Sequence, residues 1–148
     1  MRILFVCVGS TCRSPAAAHL AKALRPDWTT DHAGTAVRHV GAPVDPRMAT
    51  RLKARDLDPA PSRARQFRSN DFDRYDLVLA LEARNLRDLD GLRPGLMRPP
   101  HVRLLSAAAG LGERDIADPY DTGDYTTALA AIDAAVAGLS ARYPVPEA

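Results

Sequence analysis

The chain predicts an α/β fold with a parallel sheet covered on both faces, and three features carry that reading. "RILFVC" (2–7) and "YDLVLAL" (75–81) are unbroken apolar runs rich in strand formers, the pattern of strands buried on both sides. Apolar residues at helical spacing fill the stretches between strand candidates. Strand and helix patterns alternate along the chain, as they do in βαβ units.

Each element has a local cause. The first run ends at Gly9, and Ser14 with Pro15 reads as N-cap and first residue of a helix through Ala17, Leu20, Ala21 and Leu24 that stops at Pro26. A weak strand spans Trp28 to Ala33. Asp45 and Pro46 cap a helix through Met48 and Leu52 to about Arg55. A Pro- and Arg-rich connector, "DPAPSRARQFRSND", leads to the second buried run. A helix through Leu86 and Leu89 follows, then a short strand at "HVRLL" (101–105). The closing helix starts near Asp124, lines one face with Leu129, Ile132, Val136 and Leu139, and ends before Pro144.

At 148 residues the chain fits one domain, spanning 1–148, long enough to bury roughly 70% of its unfolded surface. With 46% hydrophobic and 26% charged residues it has the balance of a globular rather than a disordered protein. Of its 20 basic residues only Lys22 and Lys53 are lysine, and the arginines are interleaved with acids to a net charge of +2. That pattern excludes a basic stripe for nucleic acid. "MRILFVCV" is too short and too soon interrupted for a secretory or membrane segment. The two cysteines share one short loop and cannot staple a scaffold, which predicts a reducing, cytoplasmic setting.

That loop carries the chemistry. Cys7, Arg13 and Ser14 spell C-x5-R-S between a buried strand and a helix start, at the carboxyl edge of the sheet where α/β folds bind ligands. A curled loop there turns successive N–H groups inward, the helix dipole adds partial positive charge, and Arg13 offers a planar fork for two phosphoryl oxygens. A thiol beneath such a cradle sits in a field that favours the thiolate, the nucleophilic form. Read alone, Cys7 is equally a small buried hydrophobe. Strand, Gly9, arginine and Ser-Pro helix start together favour the nucleophile. Ser14 can donate to that thiolate as well as cap the helix. A departing ester oxygen needs an acid, and "DIADPYDTGDY" offers Asp118; a turn aspartate before Pro119 is the plainer reading of the same residue.

These pieces resemble the low-molecular-weight protein tyrosine phosphatases. The resemblance runs from "ILFVCVGSTCRSP" through "HAGT", "HVGAPVDPR", "ARQF" and "FDRYDLVLALEARNLRDL" to "DPYDTGDY". It implies a four-stranded parallel sheet with helices on both faces, no metal and no organic cofactor, and a phosphorylated protein as substrate, with phosphotyrosine favoured. It implies that Cys7 is the nucleophile and that Arg13 binds the phosphoryl group. Val8, Gly9, Ser10, Thr11, Cys12 and Ser14 then complete a cradle for phosphate or another oxyanion. Asp118 serves as acid and then base, Tyr120 is a pocket wall, and Cys12 is a redox partner able to form a reversible disulfide with Cys7.

Several positions depart from the family pattern. Ser10 replaces an Asn that holds the loop in an unusual backbone conformation, and Ser62 stands where many members place the His that bonds to that Asn. Changed together, they point to a replaced network. Arg38 occupies the place of a Trp at the pocket entrance, where it can stack on a ring or favour acidic groups near the phosphosite. Ala18 replaces a common Glu. Only one tyrosine directly follows Pro119, so regulation through adjacent phosphotyrosines is not carried over. Thr11 stands where tyrosine-specific members carry a bulky aliphatic residue and the arginine phosphatases of the family carry Thr.

Three alternatives stay open: an arginine phosphatase, an arsenate reductase using an external small thiol, and a phosphoprotein-binding module without chemistry. An internal disulfide relay is excluded because no cysteine follows Cys12. A binding module has no use for both nucleophile and acid. A nucleotide-dependent oxidoreductase lacks G-x-G-x-x-G after the first strand.

Overall fold

Along Arg2–Cys7 (β1) the side chains alternate between two cores, because successive strand residues point to opposite faces. Ile3, Phe5 and Cys7 join one core, and Leu4 and Val6 join the other. The computed structural model describes residues 1–146. After β1 the chain runs through α1 (Arg13–Leu24), β2 (Thr29–Gly34), α2 (Pro46–Lys53), α3 (Asp71–Arg74), β3 (Leu77–Ala80) and α4 (Ala83–Asp90). It finishes with β4 (Val102–Leu104), α5 (Leu105–Ala108), α6 (Pro119–Thr122) and α7 (Tyr125–Arg142).

The sheet has four strands in the order β2-β1-β3-β4, and every pairing is parallel. In the first core, Leu77 and Leu79 of β3 pack with Ala17 and Leu20 of α1 and with Ile132 and Leu139 of α7. In the second, Val78 and Ala80 meet Leu86 and Leu89 of α4, Phe72 of α3, and Val102 and Leu104. Both faces are therefore covered, as the apolar runs require. From β1 the chain moves outward to β2 and then crosses to β3 on the other side. The switch point lies between the carboxyl ends of β1 and β3, where open α/β sheets place ligands.

Local differences from the sequence reading have physical reasons. Helix α1 begins at Arg13 with Cys12 as its N-cap, and Ser14 lies inside the first turn. The ladder is already established there, since the Ala16 N–H donates to the Cys12 carbonyl at 3.2 Å. Strand β3 takes only Leu77–Ala80 of its apolar run, and Leu105 opens a helix instead of closing a strand. The 58–71 connector is anchored rather than loose. Its Gln66 bridges Gly34, and the fully buried Asp71 accepts from Arg65 Nη1 and from the Arg68 N–H, both at 2.8 Å.

Candidate active site

Residues 8–12 curl between β1 and α1 against the carboxyl end of β2. The Thr35 and Ala36 N–H groups donate to the Cys7 and Val8 carbonyls, each at 3.0 Å. Gly34 makes this approach possible, since a Cβ built there would lie 2.5 Å from the Val8 carbonyl oxygen and 3.1 Å from the Ser10 nitrogen. Ser10 takes a left-handed backbone with φ of 59°. Its hydroxyl lies 2.6 Å from His32 Nδ1 in a buried contact. Cys7 Sγ and Ser14 Oγ are 3.1 Å apart, also buried. The first turn of α1 thus aims Ser14 at the sulfur instead of capping the helix.

A cavity of about 270 Å³ opens over this loop. Of the residues singled out from sequence, Cys7, Val8, Gly9, Thr11, Cys12, Arg13, Arg38, Asp118 and Tyr120 line it. Ser10 and Ser14 stand behind the lining, Ser10 on His32 and Ser14 on Cys7. Arg38 and Tyr120 are exposed at the mouth, Tyr120 with 69% of its surface open.

Arg13 is held on several sides. Its Nη1 donates to Glu82 Oε1 at 2.5 Å and to the Ile116 carbonyl at 2.7 Å, while Nη2 stands 3.5 Å from Asp118 Oδ2. Only 1% of Arg13 is exposed, so these acids offset a charge that would be costly alone. Asp118 is the N-cap of α6, and its Oδ1 accepts from the Tyr120 N–H at 3.0 Å. Carboxylate and aromatic ring therefore travel on one short turn.

Sequence reasoning missed three contributors. Glu82 follows β3 at the same sheet edge as Cys7, a position that could have flagged it. His32 lies on β2 and gave no local signal. Asp45, expected only as a cap, does cap α2, and it also lines the cavity, donates its N–H to the Thr11 carbonyl at 2.7 Å and accepts from the Tyr125 hydroxyl at 3.1 Å. Ser62 is not part of the Ser10 network, because its hydroxyl pairs with His19 Nε2 at 2.7 Å.

Burial sets the protonation of several groups around the site. Burial, followed by the Asp45 charge, pushes the Cys12 thiol well up, so Cys12 stays protonated at neutral pH. Burial pushes His32 down to about 4 and keeps its ring neutral. Burial, and then the bond to Asp45, pushes the Tyr125 hydroxyl up to about 12. Among the described residues no cluster of His, Cys, Asp or Glu is placed to hold a metal ion, and no helix is long and apolar enough to cross a membrane.

Fold and cavity together define a class: doubly wound α/β proteins with a cysteine and an arginine on a curled loop at the switch point of the sheet. The family model for low-molecular-weight phosphotyrosine protein phosphatases matches residues 2–143, and the chain belongs to that family of hydrolases. The low-molecular-weight protein-tyrosine-phosphatase of Streptomyces coelicolor is 40% identical over 154 aligned positions, covering 95% of this chain and 92% of that protein. The crystal structure of YfkJ from Bacillus subtilis superposes with a TM-score of 0.89 at 27% identity, covering 96% of this chain and 93% of that one. The Drosophila arginine phosphatase superposes with a TM-score of 0.85, also at 27% identity, covering 99% of this chain and all (100%) of that one.

Proposed function

We propose that the protein hydrolyses phosphotyrosine in phosphoproteins through a phosphocysteine intermediate. The observation that carries this reading is the convergence of Cys7, Arg13 and Asp118 on one cavity, with Ser14 Oγ 3.1 Å from the sulfur. In the first step the Cys7 thiolate attacks phosphorus and the P–O ester bond breaks. Asp118 gives its proton to the departing tyrosine oxygen. Arg13 and the inward N–H groups of Val8 through Ser14 take the equatorial oxygens. In the second step Asp118, now a carboxylate, removes a proton from water as its oxygen attacks phosphorus. The P–S bond breaks, and the thiolate leaves with the Ser14 hydroxyl as donor. Phosphate departs.

Tyr120 at the cavity mouth suits an aromatic ring, and Arg38 suits an acidic neighbour of the phosphosite. We place this chemistry in a reducing, cytoplasmic compartment, where Cys7 and Cys12 remain free thiols able to pair under oxidation.

A second reading is favoured by one residue. Thr11 lines the cavity, with Asp118 and Asp45 on the same lining; a cavity that holds a hydroxyl and two carboxylates also suits a phosphorylated guanidinium, and one structural relative is an arginine phosphatase. Phosphate release from matched phosphotyrosine and phosphoarginine peptides, with Cys7→Ser as blank, separates the two. Faster release from phosphotyrosine is expected. Faster release from phosphoarginine would make Thr11 the specificity residue, and release from neither, with thiol oxidation by arsenate, would turn the site into an arsenate reductase.

A further inference from the structure

Ser10 sits in a backbone conformation that serine adopts reluctantly, in the middle of the loop that must hold still. Something must over-determine that turn. Ser10 is 1% exposed, and among the described residues its hydroxyl has one side-chain hydrogen-bond partner, His32, itself 6% exposed. His32 belongs to β2, paired along its length with β1. Two residues further along that strand, Gly34 presses against Val8 and Ser10. The imidazole is therefore mounted on a strand hydrogen-bonded along its length to the strand that leads into the loop.

We propose that His32 is a positioning residue for the phosphate cradle, acting through the Ser10 hydroxyl to hold the left-handed turn that aims the loop's N–H groups at the phosphoryl oxygens. This inference rests on the reading of residues 7–14 as a phosphate cradle. The neutral ring carries one N–H and one lone pair, and in either tautomer Nδ1 and the Ser10 hydroxyl share one hydrogen bond. Behind the ring lies a groove lined by His19, Lys22, Asp31 and Arg63. The same groove holds a built-in control: His19 and Ser62 form a second histidine–serine pair, at 2.7 Å, a bond that involves no residue of the loop.

The test measures inorganic phosphate affinity by calorimetry, kcat and KM on an aryl phosphate, and melting temperature. The variants are Ser10→Ala, His32→Ala, their double, His32→Asn and Ser62→Ala. A displaced cradle costs roughly ten- to hundredfold. Phosphate affinity and kcat/KM are expected to fall together by that factor in Ser10→Ala and in His32→Ala. The double variant should be no worse than the weaker single, since both remove one contact. His32→Asn, whose amide stands near the position of Nδ1, should recover most of the loss, and Ser62→Ala should lose nothing. Should His32→Ala fail to fold, Ser10→Ala against His32→Asn decides. Lower melting temperature with unchanged phosphate affinity and kcat/KM would overturn the proposal, as would additive losses in the double variant. Wild-type protein that binds phosphate yet hydrolyses neither phosphopeptide would remove the proposed function alone. Normal catalysis in both His32 variants would remove this inference alone.

Discussion

Glu82 Oε1 lies 2.5 Å from Arg13 Nη1, although 69 positions separate the two residues in the chain. The pair exists because β1 and β3 are neighbours in the sheet, so the residue after β3 meets the helix start after β1. A buried guanidinium with an ionic partner is fixed in direction as well as neutralised. Glu82→Gln keeps an acceptor and loses the charge, and kcat/KM is expected to fall roughly tenfold. Arg84 reaches the same carboxylate from solvent at 3.2 Å. Its alanine variant should change kcat/KM by less than about twofold, as exposed pairs do. Equal effects of both variants on aryl phosphate kinetics would deny Glu82 the orienting role.

Cys7→Ser should abolish turnover while phosphate still binds, because the proposed function draws the oxyanion contacts from Arg13 and backbone amides. Asp118→Asn should lower kcat/KM, which reports the P–O cleavage step alone, by roughly 10²- to 10⁴-fold on phenyl phosphate and much less on p-nitrophenyl phosphate, whose leaving group needs no proton. A uniform loss across both esters would remove Asp118 as the acid.

Gly34→Ala tests the contact between β2 and the loop. The new Cβ would press on the Val8 carbonyl at 2.5 Å, and backbone must move to relieve it. The expected result is a melting temperature several degrees lower together with weaker phosphate binding, on the scale of roughly 1–3 kcal/mol for overpacking. Unchanged phosphate affinity would show that the cradle tolerates the shift.

His32 gives the protein an acid-sensitive component of stability. Its ordinary value of 6.5 drops to about 4 in the fold, chiefly through burial, against the Asp31 charge, which opposes the shift, and His19 and Arg65, which add to it. Above pH 6.5 the ring is neutral in both states. Between 6.5 and about 4 the unfolded chain binds a proton that the folded chain refuses, so stability falls as pH falls through that window. The total is on the order of 3 kcal/mol. His19, also lowered by burial, acts in the same direction. Urea unfolding at several pH values should show a shallower slope for His32→Asn than for wild type. Parallel slopes would place the acid sensitivity elsewhere.

Peroxide should inactivate the enzyme reversibly. The Cys7 thiolate would reduce peroxide and become a sulfenic acid, which then condenses with the Cys12 thiol, releasing water and leaving a disulfide. A reductant would restore both thiols. Cys12 is buried and protonated, so closure should be slow and should quicken with rising pH. Cys12→Ser should recover less activity after treatment, and equal recovery would release Cys12 from that role.

The elements of this fold are local events, and the sequence carried them. Apolar runs marked β1 and β3, Asp45 with Pro46 marked α2, and the C-x5-R-S spacing placed Cys7 and Arg13 on one turn, where no distant contact is needed to bring them together. Helix boundaries were less legible: Ser14 looks like a cap because serine caps helices, yet its hydroxyl serves the Cys7 sulfur. That choice depends on where the strand end delivers the thiol. The sequence by itself thus determined the alternating elements and the placement of Cys7 and Arg13 on one loop. The tertiary structure decided what surrounds them. It brought Asp118 and Glu82 to Arg13 and His32 to Ser10, because these partners come from separate strand ends and loops that meet only when the parallel sheet sets their register. Local propensity is read along the chain, whereas the field and rigidity of this site come from contacts across it.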